Sequence, residues 1–460
     1  MSEAQTSARL KGDLSLGSVI LFGLAYISPG IVVTTFGVIA ATSNGASPTA
    51  YAVATVAMLL TGLSYAKMSR IVPGAGSVYS YARKMLDSRI GFLAGWAMLL
   101  DYFFIPMVGW LIQAIYFQAQ FPAVPKWVWL IVVVALTTGI NAFGMKLANR
   151  VNRVLMAVAI GSLILFAALC LVYLARHDTG PVTDSLWNSH TSIGAITSAA
   201  AIAAYSFLGF DAVSTLGEET KDGAKTVGRG IIGCVVAAGA IFLVLSFLLQ
   251  LVHPGGEFKN EDAAAWDIKR LIGGETYANI VNFISLAGGI ASCIALQAST
   301  ARLMYAMGRD GVLPRRVFGK LSFELGTPVM PLVLTAAGGV IAMKLDLATA
   351  TSFINFGAFL GFALVNISVI GYLVREWKQN RRHNLFTFLV LPLAGAAVSV
   401  YLLTQLGRTA LEIGGVWLAI GVVYLAFLTK GFRRPAPELM MDTHADARAE
   451  DAAKEPTSVA

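Results

Sequence analysis

Apolar runs of about the length needed to cross a lipid bilayer recur from end to end of this 460-residue chain. A helix that spans the hydrocarbon core needs roughly 20 mostly apolar residues. Twelve runs meet or approach that length: 16–41, 51–69, 90–117, 127–143, 154–174, 193–216, 230–251, 277–305, 328–347, 350–374, 385–406 and 413–429. Lipid offers no partner to a bare N–H or C=O, so each run is expected to be helical. The expected fold class is therefore an all-α polytopic membrane protein of about 12 transmembrane helices. Charged residues make up only 13% of the chain, against roughly 25% in soluble domains.

Charge placement sets an expected orientation. With the N-terminus inside, 25 of the 34 Lys and Arg residues fall on the cytoplasmic side of the spans and seven on the opposite side, the other two, Arg448 and Lys454, lying in the C-terminal tail. That asymmetry follows the positive-inside rule. It places both termini in the cytoplasm and accounts for the net charge of +8 without nucleic acid. Three domains are expected: a cytoplasmic N-terminus (1–13), a transmembrane domain (14–431) and a disordered cytoplasmic tail (432–460), the last polar and acidic. The segments 176–192 and 253–275 read as the longest loops.

Cys170, Cys234 and Cys293 stand alone in apolar runs, which suggests buried thiols and no metal site. The five histidines lie in predicted loops or the tail without ligand spacing. Ser64 and Ser206 lack a base or a nucleophile elbow nearby. No catalytic residue and no cofactor are expected, and a membrane enzyme is disfavoured.

Two runs carry internal breaks. The first contains Ser28-Pro29-Gly30 in mid-run, where proline removes a backbone donor and clashes with the preceding turn. The sixth reads Ser206-Phe207-Leu208-Gly209-Phe210-Asp211. Freed backbone groups are tolerated at membrane depth only where they line a cavity or are otherwise satisfied, and half-helix ends aimed at the midplane can hold a small ligand's charged groups. Asp101 and Asp211 are deep in runs 3 and 6. A carboxylate there is costly, so each should face a partner or a watery path. Asp101 is a candidate proton carrier, and Asp211 is a candidate for the same role or for capping a broken end. Glu218 and Glu219, beside Lys221, Lys225 and Arg229, are either a solvated cluster or a gate.

Several stretches resemble the amino acid–polyamine–organocation superfamily. They are Gly74-Ala75-Gly76-Ser77-Val78-Tyr79-Ser80-Tyr81, Gly91-Phe92 with Gly95-Trp96, Gly209-Phe210-Asp211-Ala212 with Glu218-Glu219, and Ala301-Arg302-Leu303-Met304-Tyr305 with Gly308-Arg309-Asp310-Gly311. Gly23-Leu24-Ala25-Tyr26, Leu99-Leu100-Asp101-Tyr102 and Ile354-Asn355-Phe356-Gly357-Ala358 are similar to its bacterial putrescine importers.

The resemblance implies a LeuT-type fold of two inverted five-helix repeats with broken helices 1 and 6. It implies a secondary transporter of the bacterial inner membrane, importing an amino acid or small amine, proton-coupled or working by exchange, with putrescine or polyamine import as the alternative. Substrate contacts would come from Ser28, Pro29 and Gly30, from Thr34 and Tyr102, and from Phe207, Gly209 and Phe210, with Phe207 or Phe210 as an aromatic lid. Ser299 and Thr300 would offer hydroxyls to sodium if sodium is the coupling ion instead. Two departures bear on this. Putrescine importers of this pattern carry an aspartate where Thr34 stands, and many amino acid carriers place a lysine in span 5, which 156–160 lacks.

Overall fold

Proline and glycine split the first apolar run as their chemistry requires. In the computed structural model, which describes residues 15–72, 77–142, 145–177, 181–220, 223–309, 313–320 and 328–436, the run forms two helices, α1 (Leu16–Ile27) and α2 (Ile31–Thr42), bent by 54°. Ser28 takes a left-handed conformation (φ 57°, ψ 84°) and closes α1 by donating its N–H to Leu24 O.

The chain continues through α3 (Ser47–Ile71), a short helix α4 (Ser77–Met85), α5 (Ser88–Gln120), α6 (Lys126–Ala142), α7 (Met145–Leu174) and α8 (Ile193–Ala203). It goes on through α9 (Ala224–Val252), α10 (Ala264–Arg309), α11 (Arg315–Phe318), α12 (Val329–Gly339), α13 (Leu347–Lys378), α14 (Leu391–Thr404) and α15 (Arg408–Leu428). No strand occurs among the described residues. Among the described residues, seven helices are long and apolar enough to cross a membrane, the bent α1–α2 pair makes an eighth if taken as one span, and shorter apolar helices lie in the remaining runs.

The sixth run also breaks where glycine permits it. Helix α8 tightens into a 3-10 turn over Ala204–Phe207, and Gly209 turns the chain at φ +106° before a second 3-10 stretch, Phe210–Glu219. That φ is a region L side chains rarely enter. The side chain of Asn355, on α13, donates to Ala201 O at 2.7 Å and so holds the last turn before the break.

Packing divides the helices into two groups. Helices α1 and α3 lie along α9, and α2 lies along α8. Small residues allow the approach: a Cβ at Gly23 would stand 2.5 Å from Cys234 Sγ, and one at Gly230 would stand 2.4 Å from Val19 Cγ1. Small residues at contacts are how helices approach in lipid, where no hydrophobic effect drives them together. In the second group α5 lies along α10, α6 lies against α5, α10 and α12, and α7 lies along α10. The three cysteines are buried and free.

The 253–275 segment departs from the expected loop. Helix α10 begins at Ala264, and Gly274 (φ 76°, ψ −177°) separates its first ten residues from the long span that follows. Ala264, Ala265 and Ile268 of this short helix are fully buried. They form an apolar face too short for a bilayer-length search to register. Residues 1–14 and 437–460 lie outside the described residues, as does the 73–76 part of the glycine-rich motif. The stretch leading into the tail is held to the start of α5: Arg89 Nη2 donates to Phe432 O at 2.6 Å, and Ala436 N–H donates to Ser88 Oγ at 3.3 Å.

Candidate functional site

Where the first broken helix faces α5, α7 and α10, the fold leaves a cavity of about 150 Å³. Its wall includes Ser28, Pro29, Gly30 and Thr34 from the break and the turns after it. Ser292 of α10 donates to Ser28 Oγ at 3.3 Å, so the broken end is tied across to the facing helix. Thr34 spends its hydroxyl proton on Ile31 O at 3.0 Å and keeps its oxygen lone pairs free to accept. The opposite wall carries Gln113 and Gly289, which interlock: a Cβ at Gly289 would stand 2.0 Å from Gln113 Nε2. Gln113 Oε1 is buried and unpartnered. A buried amide oxygen without a donor is costly, so it marks a place where a ligand's donor would be welcome.

Tyr26 links this cavity to a buried polar cluster. Its ring lines the wall and packs where Gly209 would carry a Cβ, only 2.3 Å from Tyr26 Cδ1. Its hydroxyl meets the Ser299 side chain. Beyond it, Tyr102 donates to Asp211 Oδ2 at 3.3 Å. Backbone groups of Gly209, Asp211 and Ala212 also reach the Asp211 carboxyl, so the second break is capped by its own acidic residue. Asp101 is buried on α5, with Oδ1 unpartnered. Gly357 lets α13 ride against that turn, since a Cβ there would meet Ala97 O at 2.4 Å.

The structure thus brings Ser28, Pro29, Gly30 and Thr34 to the cavity wall. Tyr102, Asp101, Asp211 and Gly209 are not among the described wall residues, and Gly209 abuts the Tyr26 ring. Phe207 and Phe210 are elsewhere: Phe207 packs edge-on against Phe242, and Phe210 packs against Tyr65 and Phe362. Both rings are fully buried. Thr300 Oγ1 is committed to Tyr102 O at 2.5 Å and Leu296 O at 3.0 Å. The side chains of Glu218 and Glu219 lie outside the described ones.

Sequence reasoning did not single out Gln113, Ser292 or Lys269. Lys269, from the short helix before Gly274, lines the cavity and is 2% exposed. A lysine flanked by Asp267 and Arg270 in a polar-looking segment reads as solvated, and only the tertiary fold shows otherwise.

The family model for amino acid permeases matches residues 14–427. A low-affinity putrescine importer of Escherichia coli is 37% identical over 93% of this chain and 96% of its own. A branched-chain amino acid permease of Bacillus subtilis is 28% identical over 92% of this chain and 94% of its own. A methylthioribose transporter of the same organism is 28% identical over 94% and 96%. These relatives are named as carriers rather than enzymes. With helical spans throughout and a match over nearly its whole length, the chain belongs to the amino acid permease family of the amino acid–polyamine–organocation superfamily.

Proposed function

We propose that this protein is a secondary active transporter that imports an amino acid or related small amine across the bacterial inner membrane by alternating access, with a proton as the coupling ion. The observation that carries the reading is the pair of broken spans, one lining the cavity with Ser28-Pro29-Gly30 and the other capped by Asp211. Half-helix ends at a membrane midplane are a transporter's way of presenting backbone to a small charged ligand.

In this reading the helices form 12 spans in a LeuT-type arrangement of two five-helix repeats, the apolar runs at 385–406 and 413–429 lying outside them. The grouping of α1, α2, α3, α8 and α9 against α5, α6, α10 and α12 supports it. The first group would rock against the second around the cavity. Ser28, Gly30 and Thr34 would touch substrate, Tyr102 and Tyr26 would stand between substrate and carboxylates, and Asp101 would carry the proton. Both termini would be cytoplasmic.

Putrescine import is the second reading, favoured by the Escherichia coli relative. Sodium coupling through Ser299 and Thr300 would draw on hydroxyl oxygens, and Thr300 Oγ1 could serve while still donating its proton to Tyr102 O. Uptake into proteoliposomes, with labelled amino acids and diamines and with or without an imposed pH gradient, tests the whole proposal. Accumulation of none of them, or accumulation indifferent to the pH gradient, would refute transport or proton coupling respectively.

A further inference from the structure

Lys269 is a buried ammonium with spare donors. It has three N–H groups, of which Nζ gives one to Asn282 Oδ1 at 3.0 Å. Asn282 is itself fixed, donating to Tyr116 O at 3.1 Å and to Gln120 Oε1 at 3.0 Å. The Tyr116 ring supports the ammonium from 5.5 Å. No carboxylate among the described residues pairs with Lys269. It lines the cavity, and among the described residues of the wall there is no carboxylate and Lys269 is the one charged side chain.

An unpaired buried cation is held at a cost that only an anion or proton loss removes. The Asn282–Gln120–Tyr116 scaffold fixes the ammonium in place, so the cost of ordering it is met before any ligand arrives. Tyr116 also joins the two ends of the wall, since its hydroxyl donates to Thr34 O at 3.1 Å. The positive charge and the Thr34 turn are therefore held by one residue. A diamine entering this cavity meets like charge and no counter-charge. A ligand bearing a carboxylate supplies what the wall lacks.

We propose that Lys269 is the anion-recognition residue of this cavity and that its ligand carries a carboxylate, placed against Nζ opposite Asn282. The proposal rests on the transport reading and narrows it from amino acid or amine to amino acid.

Two matched pairs of probes test it, each pair differing by one carboxylate: L-ornithine against putrescine, and L-leucine against isoamylamine. Competition binding to the purified full chain and uptake into proteoliposomes are measured for all of them. In the unmodified protein the acid of at least one pair binds tighter than its amine by about tenfold or more. Lys269→Gln reduces that ratio by about tenfold, mainly by weakening the acid, and Lys269→Arg retains most of it.

If the amine equals or exceeds the acid in both pairs for the unmodified protein, the proposal is overturned. It is also overturned if Lys269→Gln elutes as a single folded species and leaves the ratio intact. Should Lys269→Gln fail to fold, the ratios of the unmodified protein and of Lys269→Arg, together with leucinamide in place of leucine, still decide it: leucinamide binding as well as leucine removes the carboxylate from recognition. Uptake of putrescine without ornithine keeps transport and refutes this role for Lys269. Uptake of none of the four by the unmodified protein defeats the transport reading itself.

Discussion

The Tyr102 hydroxyl donates to Asp211 Oδ2 at 3.3 Å, joining an unbroken helix to the acidic residue that caps the second break. The same Tyr102 accepts Thr300 Oγ1 on its backbone oxygen at 2.5 Å. One residue therefore ties three elements together: α5, the 3-10 stretch after Gly209, and α10. Tyr26 lines the cavity, packs its ring against Gly209 and meets the Ser299 side chain, so it touches both the cavity and the turn that leads to Asp211. Coupling through a packed chain of side chains with two arrangements is the physical form alternating access needs.

Asp101 is the sharper of the two acids to test. It is buried with an unpartnered oxygen, whereas Asp211 is capped by Tyr102 and by backbone. Asp101→Asn keeps the shape and removes the exchangeable proton. The expected result is loss of gradient-driven accumulation with exchange of internal for external substrate preserved. Accumulation that survives the substitution would move the coupling site off α5.

Gly209 is required twice over, by its φ of +106° and by the Tyr26 ring that would lie 2.3 Å from a Cβ. A left-handed conformation costs an L residue roughly 1–2 kcal/mol, and the Tyr26 clash adds to it. Gly209→Ala should lower the unfolding temperature in detergent and cut uptake by about tenfold or more. Gly30, where a Cβ meets nothing within 4 Å, is the control. Gly30→Ala should fold normally, so equal destabilisation by the two would contradict the structure.

Orientation can be read with an impermeant thiol reagent on intact cells, because all three native cysteines are buried. Lys259 and Gln379 are both exposed. Lys259→Cys should label from outside, and Gln379→Cys should label only after the membrane is opened. The reverse pattern would invert the topology.

The breaks were legible because they rest on local chemistry: Pro29 cannot donate and Gly209 can adopt positive φ whatever surrounds them. The orientation of side chains near the breaks was not. Phe207 and Phe210 suggested a lid, yet Phe207 ends one 3-10 turn and Phe210 begins another, with the chain turning at Gly209 between them. Their rings meet Phe242 and Tyr65 and are not among the residues lining the cavity. Lys269 was equally hidden. Its neighbours in sequence are polar, and what buries it comes from α5, about 150 residues earlier in the chain. Gln113 gave no signal either, being one polar residue within a long apolar span that any helix contact could satisfy.

Thr34 offers the test in which charge alone is changed at the wall. Its side chain lines the same cavity as Lys269, and Tyr116 contacts both positions, bonding Thr34 O and lying beneath the Lys269 ammonium. Thr34→Asp would place a carboxylate on a wall that has none among the described residues. Part of its effect would be spent on Lys269, because opposite charges sharing one cavity attract strongly where water is scarce. The remainder would attract a ligand cation. Thr34→Asp is therefore expected to raise putrescine uptake relative to amino acid uptake by about tenfold. Combined with Lys269→Gln, which removes the competing partner, the shift should be larger than the sum of the two single effects in free energy, as coupled neighbours are. A diamine preference already present in the unmodified protein, and unmoved by Thr34→Asp, would mean that Asp101 and Asp211 supply both counter-charges, and that the cavity wall does not choose the substrate.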